Sequence, residues 1–238
     1  VKLTKKAKAF LMSTMIIATL GSIVGCSSNN SDSTYNKVDS AKTEKLTSDN
    51  KKTLVIDVRS SDEYAKGHLV DAINIPFDDF KEKINELDGY KDQKIILICN
   101  TGNKSGKGAQ ILVDNGFKKV YNAEDGMDEF DYSTVTYTNV TGSEFENMIA
   151  KNKNAVIIDV RDAKDYEKSH IENSINIPID DFESRFNELE EYKGKDILIY
   201  CSIGRRSAKA AGILENNGYT NVYNAVDGVT EYDFKLVK

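Results

Sequence analysis

Ile95-Ile96-Leu97-Ile98-Cys99-Asn100-Thr101-Gly102-Asn103-Lys104-Ser105 decides the fold, and Ile197-Leu198-Ile199-Tyr200-Cys201-Ser202-Ile203-Gly204-Arg205-Arg206-Ser207 repeats it 102 residues later. In each copy a short apolar run with β character delivers a cysteine into a glycine-containing polar loop, and the loop leads into a helix-like stretch. A cysteine in that position meets the unpaired N–H groups and positive dipole end of a helix N-terminus. Those groups favour thiolate over thiol and can hold an anion, so the pattern predicts a nucleophile and its anion cradle.

The 102-residue offset recurs without a gap on either side of the loops. Asp57 and Arg59 match Asp159 and Arg161, His68 matches His170, and Asn74-Ile75-Pro76 matches Asn176-Ile177-Pro178. Tyr35 and Val38 match Tyr137 and Val140, so the chain is an internal duplication whose first copy starts near Tyr35. The expected organisation is a domain over 35–134 and a second over 135–238, with the boundary at Ser133 and Thr134. Each unit, of roughly 100 residues, is large enough for its own core. Within each, apolar runs alternate with amphipathic stretches, which predicts the α/β class with a mainly parallel sheet flanked by helices. In the first copy strands are expected at Thr53–Val58, Ala72–Ile75, Lys94–Cys99 and Val120–Asn122. Helices are expected around Asp62–Lys66, Asp78–Leu87, Lys104–Asn115 and Met127–Asp131. Ligands of such sheets bind outside the carboxyl ends of the strands, where Cys99 and Cys201 fall.

Lys2, Lys5, Lys6 and Lys8 precede an apolar run from Ala9 to Val24 that ends at Gly25-Cys26 and gives way to Ser27-Ser28-Asn29-Asn30-Ser31. Residues 1–25 read as a signal peptide, too short in its apolar part for a comfortable membrane span. The residues before Cys26 resemble a bacterial lipobox, which implies lipid on Cys26, a tether through residue 34, and a chain anchored on the extracytoplasmic face of a bacterial cell membrane. The net charge of −6, with basic residues dispersed beyond the N-terminus, speaks against nucleic acid as a partner. Neither copy offers clustered Cys and His ligands, so no metal and no other cofactor is expected.

The ordered motifs Val55-Ile56-Asp57-Val58-Arg59, Glu63-Tyr64, Gly67-His68-Leu69, Ala72-Ile73-Asn74-Ile75-Pro76 and Cys99-x-x-Gly102-x-x-Ser105 resemble a rhodanese domain, the thiosulfate sulfurtransferase family. The second copy resembles it equally, through Ile157-Ile158-Asp159-Val160-Arg161, Asp165-Tyr166, His170-Ile171, Ser174-Ile175-Asn176-Ile177-Pro178 and Cys201-x-x-Gly204-x-Arg206-Ser207. The chain is thus similar to a tandem rhodanese-domain lipoprotein. Two departures stand out: Lys104 occupies the position of Arg206, and Asp125-Gly126 and Asp227-Gly228 stand where the family carries Gly-Gly.

The resemblance implies sulfur transfer through a cysteine persulfide, from thiosulfate or a similar sulfane-sulfur donor to a thiol acceptor or cyanide. Cys201 is the expected principal nucleophile and Cys99 the second. The substrate-binding residues are then Ser202, Ile203, Gly204, Arg205, Arg206 and Ser207, and Asn100, Thr101, Gly102, Asn103, Lys104 and Ser105. Of the two arginines, one is expected to face substrate and the other solvent. Lys104 weakens the first site, because an ammonium lacks the planar fork of a guanidinium. Ser105 and Ser207 either bond the sulfur or cap the helix that follows. Asp57 with Arg59 and Asp159 with Arg161 read as ion pairs that order loops. His68 and His170 read as structural. The alternative to an enzyme is a persulfide carrier, or a sulfur- or anion-binding module, with little turnover.

Overall fold

The computed structural model describes residues 35–48 and 53–238. The expected signal peptide, Cys26 and the expected tether lie outside these residues. No helix among the described residues is long and apolar enough to cross a membrane.

The first repeat runs β1 (Asn36–Val38), α1 (Ser40–Ser48), β2 (Thr53–Asp57), α2 (Ser61–Ala65), β3 (His68–Leu69), β4 (Ala72–Asn74), α3 (Phe80–Lys83) with a 3₁₀ extension to Tyr90, β5 (Lys94–Ile98), α4 (Asn103–Asp114), β6 (Lys119–Ala123) and β7 (Thr134–Val135). The second runs β8 (Thr138–Val140), α5 (Gly142–Lys151), β9 (Val156–Asp159), α6 (Ala163–Lys168), β10 (His170–Ile171), β11 (Ile175–Asn176), α7 (Phe182–Arg185) with its own 3₁₀ extension, β12 (Ile197–Tyr200), α8 (Arg205–Asn216), β13 (Val222–Ala225) and β14 (Leu236–Val237). The α/β class and the two tandem copies agree with the sequence reading.

Successive strand residues point to opposite faces, and both faces are covered by helices, which is why the strands read as unbroken apolar runs. Leu54, Ile56, Ile95 and Leu97 pack with Phe80 and Leu112 on one side. Val55, Ile96 and Ile98 pack with Leu46 and Tyr64 on the other. The second repeat divides in the same way, with Ile158, Ile197 and Ile199 against Phe182 and Leu214, and Ile157, Leu198 and Tyr200 against Phe145.

Two features depart from expectation. The two sheets are continuous: ten parallel strands run in the order β1-β6-β5-β2-β4-β8-β13-β12-β9-β11, joined across the repeats by β4 and β8, with Ile73 opposite Asn139. Residues just past the expected boundary at Ser133 and Thr134 turn back onto the first repeat, where β7 pairs antiparallel with β3. The second departure is Met127–Asp131, which forms a turn and not a helix. Gly126 there adopts φ 62°, and the N–H groups of Met127 and Asp128 donate to the carbonyls of Cys99 and Asn100 at 2.9 and 3.0 Å. Those bonds fasten the turn to the cysteine loop.

Candidate active site

Each cysteine follows directly on the central strand of its repeat and is buried, Cys99 at 3% exposure and Cys201 at 0%. The loop then turns through a glycine in the left-handed region, Gly102 at φ 75° and Gly204 at φ 84°, which serves as the N-cap of α4 or α8. Only glycine fits: a Cβ would lie 2.2 Å from the carbonyl oxygen of Glu124 in the first loop and 2.3 Å from that of Val226 in the second. A twelve-residue helix therefore starts immediately behind each sulfur, with its positive end towards it.

The serines sit within the first turn of these helices, not at the cap. In the first loop the Ser105 Oγ is 3.2 Å from the Cys99 Sγ, and the Ser105 N–H donates to that sulfur at 3.4 Å. In the second the Ser207 Oγ lies 3.4 Å from the Cys201 Sγ and donates to the Gly204 carbonyl at 2.8 Å. A hydroxyl has one proton. Ser207 spends it on either the carbonyl or the sulfur, whereas Ser105 has the sulfur as its near partner.

The rims of the two loops differ more than their floors. Arg206 donates to the Asp162 carboxylate at 3.2 Å and to the Ser202 hydroxyl at 3.0 Å, so its guanidinium is held across the second loop. Ile203 leaves an apolar side chain exposed there. Arg205 points elsewhere, into a cleft between the repeats lined by Leu69, Asp71 and Tyr137. The structure thus brings Arg206, but not Arg205, to the cysteine loop.

In the first loop a cleft of about 330 Å³ is lined by Cys99, Asn100, Thr101, Asn103, Lys104, Arg59, Glu63 and Asp128. The Asn100 amide donates to Glu63 at 2.7 Å, and the Asn103 amide to Thr101 at 3.0 Å. Hydrogen bonds from the Ser60 hydroxyl and then the Asn100 amide hold the Glu63 carboxyl down to about 2, so an anion stands at the mouth of this loop. Glu63 was not among the sequence-derived site residues. Its signal was present in Ser60-x-x-Glu63, a capping box that the structure forms at the start of α2.

A buried ion pair stands at the end of the strand beside each cysteine strand. Arg59 donates to Asp57 through Nε and Nη2, the latter at 2.6 Å, and to the Gly67 carbonyl at 2.7 Å. Arg161 repeats these contacts with Asp159 and the Ser169 carbonyl. The carboxylates face their arginines, in keeping with a role in ordering the loops. His68 is fully buried, with its Nδ1 2.9 Å from the Tyr64 carbonyl and its ring stacked on Tyr64 at 3.5 Å between centroids. Burial pushes its pKa below the usual value. Among the described residues no group of three or more His, Cys, Asp or Glu is placed to hold a metal.

The rhodanese-like domain family matches the chain twice, over residues 40–132 and 141–234. Among curated proteins, the tRNA uridine(34) hydroxylase of Buchnera aphidicola subsp. Baizongia pistaciae is 34% identical over 110 residues, which cover 44% of this chain and 35% of that protein. The corresponding protein of Erwinia tasmaniensis is 37% identical over 90 residues, covering 36% and 26%. The chain spans between about a quarter and a third of the length of these relatives. Among solved structures, thiosulfate sulfurtransferase from Pseudomonas aeruginosa aligns over 85% of this chain and 43% of its own, at 18% identity and a TM-score of 0.38. A rhodanese from E. coli solved with anions aligns over 35% and 98%, at 32% identity and a TM-score of 0.32.

Proposed function

The chain belongs to the rhodanese-like domain family, with two copies in tandem, and from that premise we propose that it is a sulfurtransferase moving sulfane sulfur from thiosulfate, or a similar donor, to a thiol acceptor or cyanide. The thiolate of Cys201, and of Cys99 as a second centre, attacks the outer sulfur of thiosulfate. The sulfur–sulfur bond breaks, sulfite leaves with the electron pair, and a cysteine persulfide remains. The acceptor thiolate or cyanide then attacks the terminal sulfur and returns the cysteine as thiolate.

The observation that carries this reading is the pair of cysteine loops, each closed by a left-handed glycine and backed by a helix N-terminus. That arrangement offers backbone donors to an anion at the nucleophile without side-chain acid–base groups. Arg206 supports Cys201 as the stronger centre for a dianionic donor, and Glu63 disfavours such a donor at Cys99. The tRNA reaction named for the curated relatives is not carried over, since the match covers only about a quarter to a third of them and the net charge here is −6.

Intact-mass measurement of the full chain after thiosulfate treatment tests the proposal. Wild type gains the mass of one sulfur atom that cyanide removes, Cys99→Ser retains the gain and Cys201→Ser loses most of it. Two added sulfurs in wild type make both centres competent. No addition in any folded variant overturns thiosulfate as donor.

The location belongs to the same proposal: a chain cleaved before Cys26, lipidated there and held on the extracytoplasmic face of a bacterial membrane. Wild type should then incorporate a labelled fatty acid, and Cys26→Ala should lose that label.

A further inference from the structure

The joint between the two repeats has two halves, and the 102-residue offset places a counterpart of each half at a free end of the ten-stranded sheet. At the joint, the N–H of Asn139 on β8 donates to the Tyr64 hydroxyl at 3.1 Å, and its side-chain amide to the Ala72 carbonyl at 3.2 Å. Tyr137 meets His68 edge-on at 6.4 Å. The Tyr90 hydroxyl of the first repeat donates to Asp227 of the second at 2.5 Å. Arg205 and Lys209 of α8 line a cleft with Glu44 and Asp71 of the first repeat.

Among the ten strands of this sheet, β11 and β1 have a neighbour on one side only. The β11 end carries Tyr166, His170, Ile175 and Tyr192, at the positions of Tyr64, His68, Ile73 and Tyr90. The β1 end carries Tyr35, Lys107 and Asp125, at the positions of Tyr137, Lys209 and Asp227. Tyr64, His68, Ile73 and Tyr137 are buried in the joint, whereas Tyr166, His170, Ile175 and Tyr35 are half-buried at the ends. The cleft also recurs: a cavity beside β11 is lined by Glu146, Ile171, Asn173 and Phe234, the offset counterparts of Glu44, Leu69, Asp71 and Tyr132. A cavity on the opposite end is lined by Tyr35, Lys37, Asn103 and Lys107, counterparts of the face that α8 and β8 present at the joint.

We propose that the β11 end of one copy docks on the β1 end of a second copy of this chain, reproducing between molecules the joint that holds the two repeats together. Tyr192 then reaches Asp125 as Tyr90 reaches Asp227. Lys107 and Glu146 then line one cleft, as Lys209 and Glu44 do at the joint, so opposite charges meet in both. Three substitutions weaken this joint relative to the internal one. Asn173 and Asn103 replace the opposite charges of Asp71 and Arg205, and Lys37 replaces Asn139. Lys37 is paired with Glu124 at 2.8 Å on the open edge, and an edge lysine opposes strand addition. The contact is therefore reversible. Because it joins two different surfaces it does not close on itself in a dimer, and it grows head to tail.

The test uses the full chain in detergent. Sedimentation velocity of Lys37→Asn, which restores the residue type of the internal joint, should show association at least tenfold tighter than wild type. Mixing Lys37→Cys with Ile175→Cys under oxidation should give a disulfide-linked dimer that neither variant gives alone, since their counterparts Asn139 and Ile73 are register partners. Association of Lys37→Asn no tighter than wild type, with no mixed dimer, overturns the proposal. So does an equal yield of linked dimer from either variant by itself, which means a two-fold contact.

Discussion

The two cysteine loops share a backbone and differ at the rim. Gly102 and Gly204 turn at nearly the same positive φ, and the ion pairs Asp57–Arg59 and Asp159–Arg161 match bond for bond. Around that common frame the first loop holds the anion Glu63 against Asn100, while the second holds the cation Arg206 against Ser202. The features that place a thiol at a helix N-terminus are backbone features and tolerate little change. Those that set the charges beside the sulfur are side chains at the edge: Glu63 with Lys104 at the first loop, and Arg206 paired with Asp162 at the second.

If the frame is shared, breaking it should cost the same in either repeat. Asp57→Ala and Asp159→Ala each strand a buried guanidinium, and each should lower stability by about 3–5 kcal/mol, read by urea unfolding. A large cost in one repeat and a small one in the other would end the equivalence.

A smaller effect separates the repeats by pH. Because burial holds His68 below its ordinary pKa, the unfolded chain takes up a proton near pH 6.5 that the folded chain refuses. Stability should therefore fall as pH drops below about 6.5, by on the order of 1 kcal/mol over the next pH unit. The His68→Gln variant should lose that slope.

The smallest effect concerns the rims. Glu63→Gln removes an anion that stays charged down to about pH 2. Persulfide formation at Cys99 from thiosulfate should quicken by roughly two- to fivefold at low salt, fading as salt screens the charge. In the same protein the rate at Cys201 should not move. Equal acceleration at both cysteines would show that the rim charge is not what distinguishes them.

Much of this was legible in the sequence, and for one reason. A parallel strand covered on both faces is apolar at every position, so Ile95–Ile98 and Ile197–Tyr200 announce themselves, and the cysteine and glycine that follow mark the turn into a helix. What stayed hidden depends on partners distant in the chain. Nothing in Asn139 signals that it will bond Tyr64 and Ala72 and fuse two sheets into one. Met127–Asp131 has helical spacing, but it forms a turn that Met127 and Asp128 fasten to the carbonyls of Cys99 and Asn100. The motif set Arg206 before Ser207 but left open which arginine faces the substrate, and only the structure sends Arg206 to the loop and Arg205 to the cleft that Asp71 lines.

Since all ten strands run the same way, β5 and β12 end on the same side, and both sulfurs open on one rim. Four strands lie between them, a gap of roughly 24 Å at normal strand spacing. A sulfur atom cannot step across that distance from one cysteine to the other. If both cysteines carry sulfur as proposed, they serve as parallel outlets and not as a relay, and an acceptor that visits both in one encounter has to be wide enough to lie along the rim.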